Sequence, residues 1–101
     1  MEITLRQLKY LIALADEGHF SRAAQAANVS QPALSVQIRE MEDRLGVQLV
    51  ERSPRRVDFT PAGREVLWRA RRIMDEISEL QQAARWKRGL GGQLRLGVIP
   101  T

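Results

Sequence analysis

Cysteine is absent from the 101 residues, and histidine occurs once, as His19. The first absence excludes a disulfide framework, a zinc-thiolate centre and a thiol nucleophile. With a single histidine, no glycine-rich phosphate loop and no cluster of acids, the sequence assembles no catalytic constellation. Neither an enzyme nor a cofactor or metal ion is therefore expected. Long apolar runs are missing as well. None would span a bilayer, and the N-terminus has no signal-peptide pattern, so a soluble, cytoplasmic protein is the expectation. What remains is chain enough for one small domain with a modest core. Its net charge of +4 is unevenly spread: residues 1–60 carry eight basic and eight acidic side chains, and residues 61–101 carry eight basic and four acidic. Bulk charge says little about partners here, and the placement of particular arginines has to decide.

The stretch 30–46 reads as one helix. Ser30 can cap it, Pro32 falls in its first turn, and Gly46 stops it. Leu34, Ile38, Met41 and Leu45 recur at helical spacing and form a core face. The opposite face carries Pro32, Ala33, Val36, Arg39, Glu40 and Asp43. Its first half is small, uncharged or basic, and its second half is acidic. Laid flat along a nucleic-acid duplex, such a helix would press Glu40 and Asp43 against phosphates. Entering a major groove by its N-terminal end, it would not, and it would bring its positive dipole end toward the backbone.

The segments before it fit that role. Thr4 and Gln7 form a capping box for a first helix whose inner face is Leu5, Leu8, Leu11, Ile12 and Ala15, ended by Gly18. A short alanine-rich helix over 22–27 is expected to start from Ser21, with His19 in the preceding connection and Phe20 plugging the core. Asn28 suits a tight turn requiring positive φ, and Val29 anchors it. Ala24, Asn28, Val29 and Leu34 together make a helix-turn-helix pattern.

After Gly46 the period changes. Val47 and Leu49, then Val57 and Phe59, alternate with polar residues and read as two short strands. Between them lie Arg52, Ser53, Pro54, Arg55 and Arg56. A hairpin tipped with arginines beside a helix-turn-helix is a wing, with Arg55 and Arg56 placed to meet phosphates or enter a minor groove. The bland alternative is a solvated basic turn. Thr60 and Pro61 then open a helix that nothing breaks before Lys87. Val66, Ala70, Ile73, Ile77, Leu80 and Ala84 lie on it at heptad spacing. About 40 Å long at about 1.5 Å per residue, it should project beyond so small a domain and pair with a second copy. Gly89 to Gly92 reads as a hinge, and 93–101 as a strand with no partner in this chain, as at the front of a longer protein.

Several segments now stand together: Leu8-Lys9-Tyr10-Leu11, Phe20-Ser21-Arg22-Ala23-Ala24, Val29-Ser30-Gln31-Pro32-Ala33-Leu34-Ser35, Gln37-Ile38-Arg39-Glu40-Met41-Glu42, Leu45-Gly46-Val47, Glu51-Arg52-Ser53 and Phe59-Thr60-Pro61-Ala62-Gly63. In this order, over residues 5 to 90, they resemble the N-terminal region of LysR-type transcriptional regulators, and so ordered a set is highly specific. The resemblance implies a mainly α fold. Residues 1–60 would be a winged helix-turn-helix with a two-stranded wing, 61–88 a long linker and dimerisation helix, and 89–101 a hinge and the first strand of an effector-binding domain. By position, Ser30, Gln31, Pro32, Ala33 and Ser35 would sit in the major groove and Arg55 in the minor groove. Val36, Arg39, Arg52, Ser53 and Arg56 complete the expected DNA-binding set. Val36 departs from the arginine of many members, so no base-reading arginine carries over to it, and an apolar contact to a thymine methyl is its expected use. Within the family, Ser35-Val36-Gln37-Ile38-Arg39, Val57-Asp58-Phe59-Thr60 and Leu96-Gly97-Val98-Ile99-Pro100-Thr101 are most similar to the hydrogen-peroxide-sensing branch, OxyR.

The implied partners are double-stranded DNA bearing an interrupted inverted repeat, a second copy of the chain (a tetramer in a longer parent) and RNA polymerase, with no membrane. The competing expectation is a protein-interaction module in which the long helix is the working surface. Salt-dependent binding to one DNA site separates the two.

Overall fold

Local signals set where each helix begins and ends. In α1 (Leu5–Glu17), Thr4 Oγ1 accepts from the Gln7 N–H at 3.1 Å while Gln7 Oε1 accepts from the Thr4 N–H at 3.1 Å. This closes the expected capping box, and Gly18 ends the helix at φ 77. Asn28 turns the chain at φ 61. In α3 (Gln31–Leu45) the Ser30 hydroxyl accepts from the Ala33 N–H at 3.2 Å, and Gly46 terminates the helix at φ 73. The full order is α1, α2 (Phe20–Ala27), α3, β1 (Val50–Arg52), β2 (Val57–Phe59) and α4 (Pro61–Leu94). This is a computed structural model, which describes residues 2–53 and 56–94. The strands pair antiparallel, with Val50 opposite Phe59 and Arg52 opposite Val57.

The core is aliphatic. Leu11, Leu14, Leu34, Ile38, Met41, Leu49 and Val50 are fully buried, so α1 and α3 each contribute one stripe. The small Ala23 and Ala24 of α2 let that helix come close to both. Val57 donates its N–H to the Gly18 carbonyl at 2.9 Å, which ties the wing to the end of α1. Mainly helical, with a two-stranded wing and a long last helix, the architecture is the expected winged helix-turn-helix.

Several expectations need correction. The second helix starts at Phe20, not Arg22. His19 is its extended N-cap residue, and the His19 carbonyl accepts from Ala23 at 2.9 Å, which closes the first turn ahead of Ser21. Leu5 and Leu45 are exposed rather than core. Each sits in a terminal turn, beyond the packed part of its stripe. At the C-terminal end of α3, Leu49 and Val50 take the core place expected of Leu45. β1 begins at Val50, and Val47 is exposed before it. Helix α4 does not end near Lys87 but runs through the glycines to Leu94. A glycine costs a helix about 1 kcal/mol relative to alanine, yet it keeps the N–H that proline lacks, so the hydrogen-bond ladder continues. The remainder of the expected strand, 95–101, lies outside the described residues.

One compact unit ends at Arg71 and a second begins at Arg72. Ala70, expected on the dimer seam, is buried in the core of the first unit, and Val66 packs against that core. Both are used within the chain because α4 must dock its first turns on the domain that carries it.

That docking depends on Gly63. Its buried backbone meets the chain leaving α3 so closely that an added Cβ would lie 1.9 Å from the Leu49 carbonyl oxygen. Thr60 fixes the approach: its hydroxyl donates to the Gln48 carbonyl at 2.6 Å and accepts from the Gly63 N–H at 2.9 Å. Gly63→Ala should therefore destabilise the domain by about 1–3 kcal/mol, the usual cost of overpacking. Urea denaturation should show a lower midpoint at an unchanged slope, and an unchanged midpoint would mean the contact relaxes without strain.

Candidate nucleic-acid interface

The first turn of α3 presents Ser30, Gln31, Pro32 and Ala33, all exposed, followed by half-buried Ser35 and exposed Val36. The reason is geometric. Leu34, Ile38 and Met41 face inward, so Val36 and Arg39 between them face out, while Ser30 to Ala33 are exposed because they open the helix ahead of its buried stripe. Arg39, a turn further on, is also exposed. No acid lies between Gln31 and Arg39, and the positive end of the helix dipole points the same way.

The acids of α3 begin at Glu40, and two of them are engaged within the fold. Glu40 pairs with Arg44 at 3.9 Å, and Arg44 also donates to the Glu2 carbonyl. Glu42 is the more consequential. Its Oε2 accepts from the backbone N–H groups of Leu49 at 2.8 Å and Val50 at 3.2 Å, and its Oε1 lies 3.7 Å from Arg52 Nη1. The sequence pattern did not reveal this residue, because its partners are backbone N–H groups past the end of the helix, which no side-chain periodicity marks.

The wing is brought against the start of α3. One cleft is lined by His19, Phe20, Ser21, Gln31, Ser53, Arg56 and Val57, so the first turn of α2, the first turn of α3 and the wing share a single surface. Ser53 shapes the turn: its hydroxyl donates to the Arg56 carbonyl at 2.6 Å and accepts from the Arg56 N–H at 3.2 Å. Arg56 is well exposed, 3.3 Å from Asp58. Arg52 is different. Held by Glu42, with its guanidinium carbon 5.2 Å from the Phe20 ring centroid, it braces the wing against α2. Its place is structural as much as it is available to a ligand. Pro54 and Arg55, the expected wing tip, lie outside the described residues. His19 and Ser21 were not anticipated at this surface. The earlier start of α2 puts them there.

An outward-facing helix whose acid-free N-terminal half adjoins a basic hairpin is the DNA-reading arrangement of the winged helix-turn-helix class. Comparison with known proteins narrows this. The family model of the bacterial regulatory helix-turn-helix proteins of the LysR family matches residues 5–64, and the chain belongs to that family. It is 46% identical over 100 residues to a hydrogen peroxide-inducible genes activator of Dickeya chrysanthemi, a match covering 98% of this chain and 33% of that protein. It is 50% identical over 97 residues to an SDS degradation transcriptional activation protein of a Pseudomonas species, covering 95% and 32% respectively. Among solved structures, the CbnR DNA-binding domain in complex with DNA is similar at TM-score 0.79 and 41% identity, over 87% of this chain and 99% of that one. The chain thus spans about a third of the length of the curated relatives it matches. No helix among the described residues is long and apolar enough to cross a membrane.

Glu42 offers a direct test of how the wing is held. Glu42→Ala leaves the Leu49 and Val50 amides without their acceptor, which should cost about 1–3 kcal/mol of stability. It should also speed hydrogen exchange at those two amides more than at Leu11 or Ile38. Exchange rising equally everywhere would mean that Glu42 contributes only to global stability.

Proposed function

We propose that the chain is the DNA-binding front of a LysR-type transcriptional regulator. It acts in the cytoplasm as a homodimer on an interrupted inverted repeat in double-stranded DNA. In this reading Ser30, Gln31, Pro32, Ala33, Ser35 and Val36 enter the major groove, with Arg39 near the backbone. The wing, through Ser53, Arg55 and Arg56, reaches an adjacent minor groove or phosphates. No catalytic role is part of it. The observation that carries the reading is the surface on which the acid-free start of α3 and the wing adjoin. The family, and a similar domain solved on DNA, support it. The signal to which the parent protein responds is a separate matter. Relatives named for hydrogen peroxide and for SDS degradation are similar over the same stretch to nearly the same degree.

Base reading is tested at Gln31, whose amide can bond an adenine edge in two places. Gln31→Ala should lose about 1–3 kcal/mol on the preferred site and little on random duplex. Titrations on both DNAs across a salt series read the difference, and equal losses would remove Gln31 from the specificity set.

The dimer is proposed to form on the part of α4 beyond its own core. Ile73, at 42% exposure, and Leu80, at 66%, lie on the heptad seam with Ile77, while Ala84 is the next exposed seam position. Ala70, buried in the chain's own core, is not part of this surface, whereas Val66 is only partly buried and remains at its edge. Ile77→Glu would place an unpaired charge in that seam, and sedimentation should find the variant monomeric at concentrations where the parent is dimeric. A variant as dimeric as the parent would place the interface elsewhere.

A further inference from the structure

His19 is the single histidine of the chain, and it occupies a position that histidine serves poorly. As the N-cap residue of α2 it has the extended backbone of a cap, φ -140 and ψ 142, but its side chain makes no hydrogen bond to the helix. Serine, threonine, aspartate or asparagine there would accept from an otherwise unpaired N–H group of the first turn. The residue is instead half-buried in the wall of the cleft that the start of α2 shares with Gln31 and with Ser53 and Arg56 of the wing. No acid is among the described residues that line this cleft. Of the carboxylates on the elements around it, Asp16 is 2.9 Å from Arg71 and Asp58 is 3.3 Å from Arg56, while Glu17 ends α1 two residues before His19. The cations are Arg56 in the cleft, Arg52 over the Phe20 ring and exposed Arg22 on α2.

We infer that His19 binds a DNA phosphate as the imidazolium, so that docking on DNA takes up a proton. This rests on the proposal that α3 enters the major groove: Gln31 and the wing then lie on the duplex, and the phosphate strand beside α3 passes the cleft between them. An imidazolium N–H on a phosphate oxygen is a charge-assisted hydrogen bond, stronger than one between neutral groups. With no carboxylate lining the cleft, the phosphate is the anion that offsets the charge. Histidine is the side chain that ordinarily changes charge between about pH 5 and 8, and one per chain gives the linkage one source per subunit. The sign follows from which form DNA favours. Affinity is greatest on the acid side, falls as pH rises through the histidine range, and levels off where the imidazole is neutral with or without DNA. Each proton taken up amounts to at most about tenfold in affinity per pH unit. A phosphate carries no sequence information, so the effect is the same on any duplex, which sets it apart from base reading by α3.

The test titrates the 101-residue chain at fixed salt, from about pH 5.5 to about pH 8.5 so as to bracket the histidine range. It uses two duplexes, one selected by the chain from a random oligonucleotide pool and one of arbitrary sequence. The parent should lose affinity for both by about tenfold or more across the range. His19→Gln, which cannot titrate, should show no such fall. His19→Lys, charged throughout, should keep the parent's low-pH affinity to the top of the range. Calorimetry in two buffers of different ionisation enthalpy should find proton uptake on binding by the parent in excess of that by His19→Gln. The α-amino group is common to all three chains and cancels in the comparison. The side chain makes no cap bond, so neither variant removes a contact that folding needs. The inference is overturned if the parent's affinity is flat with pH, if His19→Gln keeps the parent's slope, or if the slope appears on the selected duplex alone, which would make His19 a base reader. A pH-independent chain that still selects its duplex overturns this inference and leaves the proposed function standing, whereas a chain that binds no duplex at any pH overturns both.

Discussion

The Glu42 carboxylate holds the chain where it leaves α3, and the placement of the wing and of the first residue of α4 follows from it. By accepting from both the Leu49 and Val50 amides, it turns the backbone across the end of α3 and drives those two side chains into the core. Val50 opens β1, so the wing starts at a defined point. The Gln48 and Leu49 carbonyls receive the Thr60 hydroxyl and amide, so α4 also starts at a defined point. A carboxylate bonded to backbone N–H groups is a strong, charge-assisted arrangement, and the Arg52 guanidinium beside it keeps the partly buried charge compensated. The same arginine reaches Phe20, which links the wing to α2.

This dependence explains which parts of the fold were legible in the sequence. Caps, stops and stripes are local, and the sequence carries them openly: Thr4 with Gln7, Gly18, Asn28, Ser30, Gly46 and Thr60 all act where their chemistry says they should. The errors fall where a distant group decides. Leu45 continues the stripe of α3 by spacing, but the turn held by Glu42 substitutes Leu49 and Val50 for it. Val47 alternates like a strand residue, but pairing begins only where that turn releases the chain. His19 has little preference for a helix cap, yet its carbonyl closes the first turn of α2, so Ser21 was the more obvious and mistaken start. Ala70 has seam spacing, but its small size serves the close docking of α4 that Gly63 begins.

The candidate interface was legible for a different reason. Exposure on α3 follows from the helical period once the buried stripe is known, so Pro32, Ala33, Val36 and Arg39 could be placed on one surface from spacing alone; Gln31 lies on the line of the stripe itself and is exposed because it opens the helix. What spacing could not supply was their neighbours. The cleft joins residues of α2, α3 and the wing as far apart in sequence as His19 and Val57. It also separates two arginines that look equivalent in sequence: Arg52 is braced between Glu42 and Phe20, while Arg56 is largely exposed.

Charge on α3 is divided between the frame of the domain and its exposed surface. The C-terminal half spends two of its three acids on internal partners, Glu40 on Arg44 and Glu42 on the backbone and Arg52. The N-terminal half carries no acid, and several of its outward side chains touch little of the domain. Substitutions at exposed positions such as Gln31 or Val36 therefore leave the buried stripe of Leu34, Ile38 and Met41 intact, whereas changes at Glu42 or Gly63 disturb the frame that presents them. The frame of α3 and the surface it presents are therefore set by different residues.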